Sequence, residues 1–136
     1  MKRVLIVEDD PLIAIDLQHV IHELGYVTSG IANSFDSARR LAPHSDLALV
    51  DVHLTDGATG PRIGQFLADE YGISVVMVTA NPEVIADGIS GVIGVISKPA
   101  QPTTIKQVLE FMLSHKNQQV SHPPALRLFP FERRHA

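Results

Sequence analysis

Side chains of three chemical kinds, carboxylates, a hydroxyl and an amine, follow four short aliphatic runs of the sequence. In chain order they are Glu8, Asp9, Asp10, Asp51, Thr79 and Lys98. If the runs are parallel strands, their carboxyl ends meet at one edge of a sheet, where open α/β sheets bind their ligands. The sequence therefore predicts one site made from these side chains.

The residue types at this edge favour phosphoryl chemistry assisted by a metal ion. Clustered carboxylates repel each other unless a cation neutralises them. Mg²⁺ prefers carboxylate oxygens, and because the chain contains no Cys we expect Mg²⁺ rather than Zn²⁺. A carboxylate can attack a phosphoryl group and form an aspartyl phosphate. That transfer needs positioning and neutralised charge, which a Lys and a Mg²⁺ ion supply, and a Thr hydroxyl can hydrogen-bond a phosphoryl oxygen.

Five aliphatic runs predict the strands that position these side chains. We expect strands at 4–7, 26–31, 47–50, 74–78 and 92–96, and helices at 11–24, 34–41, 61–71 and 102–114. Continuous rather than alternating Val, Ile and Leu runs suit strands that are buried on both faces, as in a parallel sheet between two layers of helices.

Asp, Pro and Gly residues at particular positions predict where some of these elements begin and end. Asp10 is expected to cap the first helix, with Pro11 at its first position and Gly25 beyond its end. Residues 54–60 predict a loop. Residues 81–91 are rich in Pro and Gly, which disfavour a long helix, so we expect the fourth helix to be short, shifted or mobile.

Length and charge limit the class of protein. The chain has 136 residues and a net charge of −4, and the length fits one domain. Residues 1–114 hold 7 basic and 14 acidic side chains, whereas residues 115–136 hold 4 and 1. The acidic body argues against direct nucleic-acid binding, which needs a basic face. We expect one domain at 1–114 and a flexible tail at 115–136 with an optional docking segment at 126–131.

The hydrophobic pattern predicts neither a membrane span nor a secretory signal. No apolar run approaches the roughly 18 residues that a span requires, and the first run is short and ends in acids. We therefore expect a soluble, cytoplasmic protein.

Four segments taken together resemble the receiver domain of two-component response regulators across residues 2–114. They are VLIVEDDP at 4–11, LVDVHL at 49–54, VTA at 78–80 and SKP at 97–99. The resemblance implies a flavodoxin-like (βα)5 fold, a doubly wound parallel sheet with the strand order 2-1-3-4-5.

The resemblance also implies a role for each site residue. Asp51 matches the phosphoacceptor and a Mg²⁺ ligand, and Asp9 matches the direct carboxylate ligand of the metal. Glu8 matches an acid that acts on the metal through water, and the backbone carbonyl of His53 matches a further ligand.

Two more positions complete the implied catalytic set. Thr79 matches the switch hydroxyl and Lys98 the lysine that pairs with the phosphoryl group, and the bond from Lys98 to Pro99 is expected to be cis. Most receivers carry Tyr or Phe where this chain has Val95. We therefore hypothesise that signalling is read through ordering of residues 81–91. The short fourth helix and the missing aromatic are similar to a receiver subgroup common in alphaproteobacteria, often paired with HWE or HisKA2-type kinases.

The implied function is a stand-alone signalling switch rather than a conventional enzyme. A sensor histidine kinase or a phosphotransfer protein would supply the phosphoryl group, in a Mg²⁺-dependent self-phosphorylation that is followed by slow autodephosphorylation. The readout would be contact with a downstream protein, without membrane or nucleic acid. Roles as a phosphorelay intermediate or phosphate sink, and homodimerisation, stay open.

Two other classes of protein compete with this interpretation. One is an interaction module that keeps the fold without phosphorylation, in which Asp9 and Asp51 merely cap helices. The other is a small Mg²⁺-dependent phosphohydrolase, but residue 53 is His where that chemistry needs a second Asp, and no capping insertion is present.

Overall fold

A computed structural model describes residues 2–114 and 122–130 of the chain. Its strands are β1 (Arg3–Val7), β2 (Val27–Ala32), β3 (Leu47–Asp51), β4 (Ser74–Thr79), β5 (Gly94–Ser97) and β6 (Arg127–Leu128). They form one sheet in the order β2-β1-β3-β4-β5-β6. The first five strands are parallel, and β6 pairs antiparallel with β5. The predicted parallel α/β fold with the order 2-1-3-4-5 is confirmed, and β6 extends it.

Four α-helices and two short 3₁₀ helices connect the strands. They are α1 (Pro11–Glu23), α2 (Phe35–Leu41), α3 (Gly60–Tyr71) and α4 (Pro102–Ser114), with 3₁₀ helices at Ala42–His44 and Pro82–Ile85. Asp10 caps α1 as predicted, since its side chain accepts hydrogen bonds from the backbone N–H groups of Leu12 and Ile13. Gly25 follows that helix with a φ of 92°, a backbone conformation that favours glycine.

The sheet separates two hydrophobic clusters, and β1 shows how its sequence serves both. Leu5 and Val7 belong to one cluster, which includes buried residues of α3. Val4 and Ile6 point to the other, which includes buried residues of α1 and α4. Side chains of successive strand residues alternate between faces, so a strand covered on both sides requires an uninterrupted aliphatic run.

The helix between β4 and β5 is short, as the Pro and Gly content of its segment predicted. A 3₁₀ helix at Pro82–Ile85 stands where a regular fourth helix would lie. Gly88 and Gly91 both have positive φ values, which interrupt any longer helix.

None of the helices within residues 2–114 and 122–130 has the length and apolar character that crossing a membrane requires.

Part of the segment predicted as a flexible tail is packed on the sheet. Residues 122–130 contain β6, and Leu126 and Phe129 are each only 1% exposed. This differs from the prediction because separate apolar side chains, rather than a continuous run, attach the segment. The proposed docking segment at 126–131 is packed over 126–130, whereas residues 115–121 and 131–136 lie outside the described part of the chain. The boundary at 114/115 remains a prediction.

Candidate functional site

An ammonium group joins two carboxylates at the carboxyl ends of the central strands. Glu8 follows β1, Asp51 is the last residue of β3, and Lys98 follows β5. The Nζ of Lys98 donates to Oε1 of Glu8 and to Oδ2 of Asp51, each at 2.9 Å. Three of the four strand ends predicted to meet at this edge are therefore in direct contact.

Both carboxylates are buried, and both accept hydrogen bonds from the backbone. Glu8 is 6% and Asp51 7% exposed. The second oxygen of Glu8 accepts from the backbone N–H of Asp10 at 3.1 Å, and the second oxygen of Asp51 accepts a longer bond from the N–H of His53 at 3.4 Å. Charge-assisted bonds of this kind compensate for the cost of burying charge.

The environment shifts the pKa values of two of these groups upward. Burial is the main reason that the pKa of Glu8 is raised, although the N–H of Asp10 and the Lys98 ammonium act against it. Burial alone would lower the pKa of Lys98, but its bonds and charge interactions with Asp51 and Glu8 together raise it. The site thus keeps its lysine charged, and an added cation close to Glu8 would favour the ionised form of its carboxylate.

A third carboxylate gives the site the donors that a hard metal ion requires. Glu8, Asp9 and Asp51 each offer an oxygen, and these oxygens lie within 4.8 Å of one another. An all-oxygen set of carboxylates fits Mg²⁺. Asp10, in contrast, uses its side chain to cap α1. His53 has an exposed side chain and approaches Asp51 through its backbone.

Thr79 lies at the same edge, one strand away from Asp51. Asp51 pairs with Val78 in the register of β3 and β4, so Thr79 is the next residue along. Its side chain is buried, and its Oγ1 accepts from the N–H of Asn81 at 3.1 Å. The carbonyl of Thr79 accepts from the N–H of Lys98 at 2.9 Å. The peptide bond from Lys98 to Pro99 is cis, as the resemblance implied.

Gly60 supports the site and was not recognised from the sequence, where it was only part of a loop. Its N–H donates to the carbonyl of Val52 at 3.0 Å. A Cβ added at Gly60 would lie 1.9 Å from the carbonyl oxygen of Asp51 and 2.7 Å from that of Val52. Only glycine allows α3 to begin this close to the end of β3. A Gly just before Pro61 at a predicted helix start was the available signal.

Comparison with known proteins identifies the family. The sequence model of the response regulator receiver domain matches residues 4–110. The chain belongs to this family. The regulator PhyR of Methylorubrum extorquens is 34% identical over 110 residues, which are 78% of this chain and 41% of PhyR. The DNA-binding response regulator MtrA of Mycolicibacterium smegmatis is 32% identical over 107 residues, 74% of this chain and 46% of MtrA. The receiver thus spans less than half the length of either relative.

Solved structures give the same result for the fold. The PhyR receiver domain of Erythrobacter litoralis has a TM-score of 0.71 and 25% identity, over 91% of this chain and 95% of that one. PhyR of Brucella abortus has a TM-score of 0.75 and 29% identity, over 85% of this chain and 49% of that one. These matches place the chain among receivers similar to those of PhyR proteins.

Proposed function

We propose that this receiver accepts a phosphoryl group on Asp51 from a phosphohistidine of a sensor kinase or phosphotransfer protein, and signals through contact with a downstream protein. The observation that carries the proposal is the buried pair of Glu8 and Asp51 bridged by Lys98. Such a group of charges at strand ends is suited to receiving a phosphoryl group.

Each residue has a defined part in the proposed transfer. An oxygen of Asp51 forms a bond to phosphorus while the bond from phosphorus to the donor imidazole breaks, and the imidazole leaves with that electron pair. Lys98 can exchange a bond to a carboxylate for one to a phosphoryl oxygen. The Thr79 hydroxyl can donate to another of these oxygens, because its present bond uses it as an acceptor.

The residues present fit a Mg²⁺ ion, which would be held by Glu8, Asp9, Asp51 and the backbone carbonyl of His53. When bound, Mg²⁺ neutralises charge on the transferred phosphoryl group. Such an ion would favour the ionised form of Glu8, whose carboxylate is buried and whose pKa is raised by that burial.

An apolar surface beside the site supports a protein as the phosphodonor. Leu12, Ile13 and Ile15 of α1 are 80%, 42% and 50% exposed. A cleft of about 460 Å³ separates α1 from the start of α4 and reaches Asp51 and Lys98. Exposed apolar side chains beside a cleft offer a surface on which a protein can dock.

The experiment that tests the proposal is the intact mass of the protein after incubation with Mg²⁺ and acetyl phosphate. We expect one added phosphoryl group on the wild type and none on Asp51→Asn. Asp56→Asn is a matched control, since Asp56 is an exposed acid in the loop that follows, and it should be modified like the wild type. No adduct on any variant, with small donors or with a phosphohistidine protein, would favour the phosphorylation-independent module instead.

A further inference from the structure

Residues 122–130, here called the C-terminal strap, cover the edge of β5. Leu128 pairs with Gly94 and Arg127 with Val95, and the N–H of Phe129 donates to the carbonyl of Ile93 at 3.0 Å. The strap packs on both sides of the sheet, because two of its buried apolar side chains belong to different clusters. Phe129 lies in the cluster next to α3, and Leu126 in the cluster next to α1 and α4.

Gly94 shows that β5 is shaped to receive the strap. A Cβ added at Gly94 would lie 2.3 Å from the carbonyl oxygen of Arg127 and 3.1 Å from the Cα of Leu128. Both are backbone atoms of the strap, which cannot rotate away as a side chain could. Gly94 does not have a positive φ, so alanine suits the strand itself. The glycine is needed for the approach of the strap.

The strap also contacts the segment that joins two residues of the site. Phe129 shares its cluster with Ile85 and Ile89, which lie between Thr79 and Lys98. Arg127 forms an exposed ion pair of 3.6 Å with Glu83 of the 3₁₀ helix. A movement of the residues after Thr79 therefore acts directly on the packing of the strap.

The attachment of the strap is weak enough to be shifted. Its strand is two residues long, and the entropy cost of ordering nine residues opposes the gain from three buried apolar side chains and a few hydrogen bonds. Elements held by so few contacts open more readily than the core of a domain. A modest change in the adjoining segment can alter the bound fraction.

We propose that the C-terminal strap is a regulatory element, bound to β5 in the unphosphorylated protein and released when Asp51 is phosphorylated. The proposal rests on the proposed function. A phosphoryl group draws the Thr79 hydroxyl towards itself and away from the N–H of Asn81. The 3₁₀ helix that begins at the next residue then shifts, which disturbs the hydrophobic cluster that contains both Ile85 and Phe129. Release uncovers the backbone edge of β5.

Hydrogen–deuterium exchange of the full chain tests this proposal, with and without Mg²⁺ and acetyl phosphate and with the protein mass recorded in parallel. We expect peptides from 122–130 to exchange at least about tenfold faster in the phosphorylated protein, as local opening predicts. An adduct on Asp51 with unchanged exchange would overturn the strap proposal and leave the proposed function standing. Absence of an adduct both with acetyl phosphate and with a phosphohistidine protein as donor would overturn both.

Two variants separate the strap from the site. Gly94→Ala should expose residues 122–130 to fast exchange without a phosphodonor, with no further rise on phosphorylation, while Asp51 still gains one phosphoryl group. Arg127→Ala is the control, because it keeps the backbone pairing and removes only an exposed ion pair. If Gly94→Ala is as protected as Arg127→Ala, the proposal is wrong. Phe129→Ala, which removes a buried attachment point, gives the same test should Gly94→Ala fail to fold.

Discussion

Replacing Lys98 with methionine removes the charge that bridges Glu8 and Asp51 and keeps a side chain of similar length. The two carboxylates would then face each other without a counterion at 6% and 7% exposure. We predict that Lys98→Met destabilises the metal-free protein and that Mg²⁺ restores more stability to this variant than to the wild type.

The magnitude follows from the two 2.9 Å bonds of the ammonium. Breaking a fully buried ion pair costs about 3–5 kcal/mol. The side chain of Lys98 is 23% exposed, so water compensates in part and we expect about 2–4 kcal/mol. For a chain of this size that is a fall in Tm of roughly 8–16 °C.

Thermal and urea unfolding at about pH 8 and about pH 5, with and without Mg²⁺, measures the effect. The loss should be smaller at the lower pH, because Glu8 has a raised pKa and can take up a proton in place of its cation. Lys106→Met, at an exposed position of α4, controls for the loss of a positive charge. The reasoning is refuted if Lys98→Met is as stable as Lys106→Met without Mg²⁺, or if Mg²⁺ stabilises both variants equally.

Three further predictions concern other parts of the structure. Gly60→Ala should cost about 3 kcal/mol in urea unfolding, at the upper end of the usual cost of overpacking, because its Cβ would overlap backbone rather than a movable side chain. A loss below about 1 kcal/mol would contradict the contact. The raised pKa of Glu8 stabilises the metal-free fold below the ordinary value, and this contribution is lost as the pH rises through the raised value. Protons then compete with Mg²⁺, so Mg²⁺ affinity measured by calorimetry should increase with pH more steeply in the wild type than in Glu8→Gln, and parallel slopes would refute this. Phe129→Ala should cost roughly 1–2 kcal/mol, less than the 3–5 of an ordinary core Phe, since the strap can detach; a full core-like loss in urea unfolding would show that the segment is an integral part of the fold.

The fold was predictable because, in most of the chain, the hydrophobic pattern along the sequence matches the side chains that the fold buries. The helix at 102–114 was predicted with the bounds that α4 has, and most strands differ by one or two residues. The strand β6 was not predictable in this way, since two residues carry no periodicity and their partner is distant in sequence. The predicted start of β5 at 92 was two residues early, because the ladder with β4 begins at Gly94.

The site was predictable in its membership but not in its internal contacts. Strand ends of a parallel sheet meet whatever the loops do, so Glu8, Asp51, Thr79 and Lys98 could be placed at one edge. The bridge from Lys98 to both carboxylates depends on side-chain positions that no spacing encodes. The close approach of Gly60 depends on how deeply α3 sits against β3, a matter of packing rather than pattern.

The measurement that tests the central claim most directly is the location of the phosphoryl group. After phosphorylation with Mg²⁺ and a donor, borohydride reduces an aspartyl phosphate to homoserine, and peptide mass spectrometry then locates the altered residue. The proposed function predicts homoserine at position 51 alone. Homoserine at position 9 or 10 instead, or none at all, would contradict it.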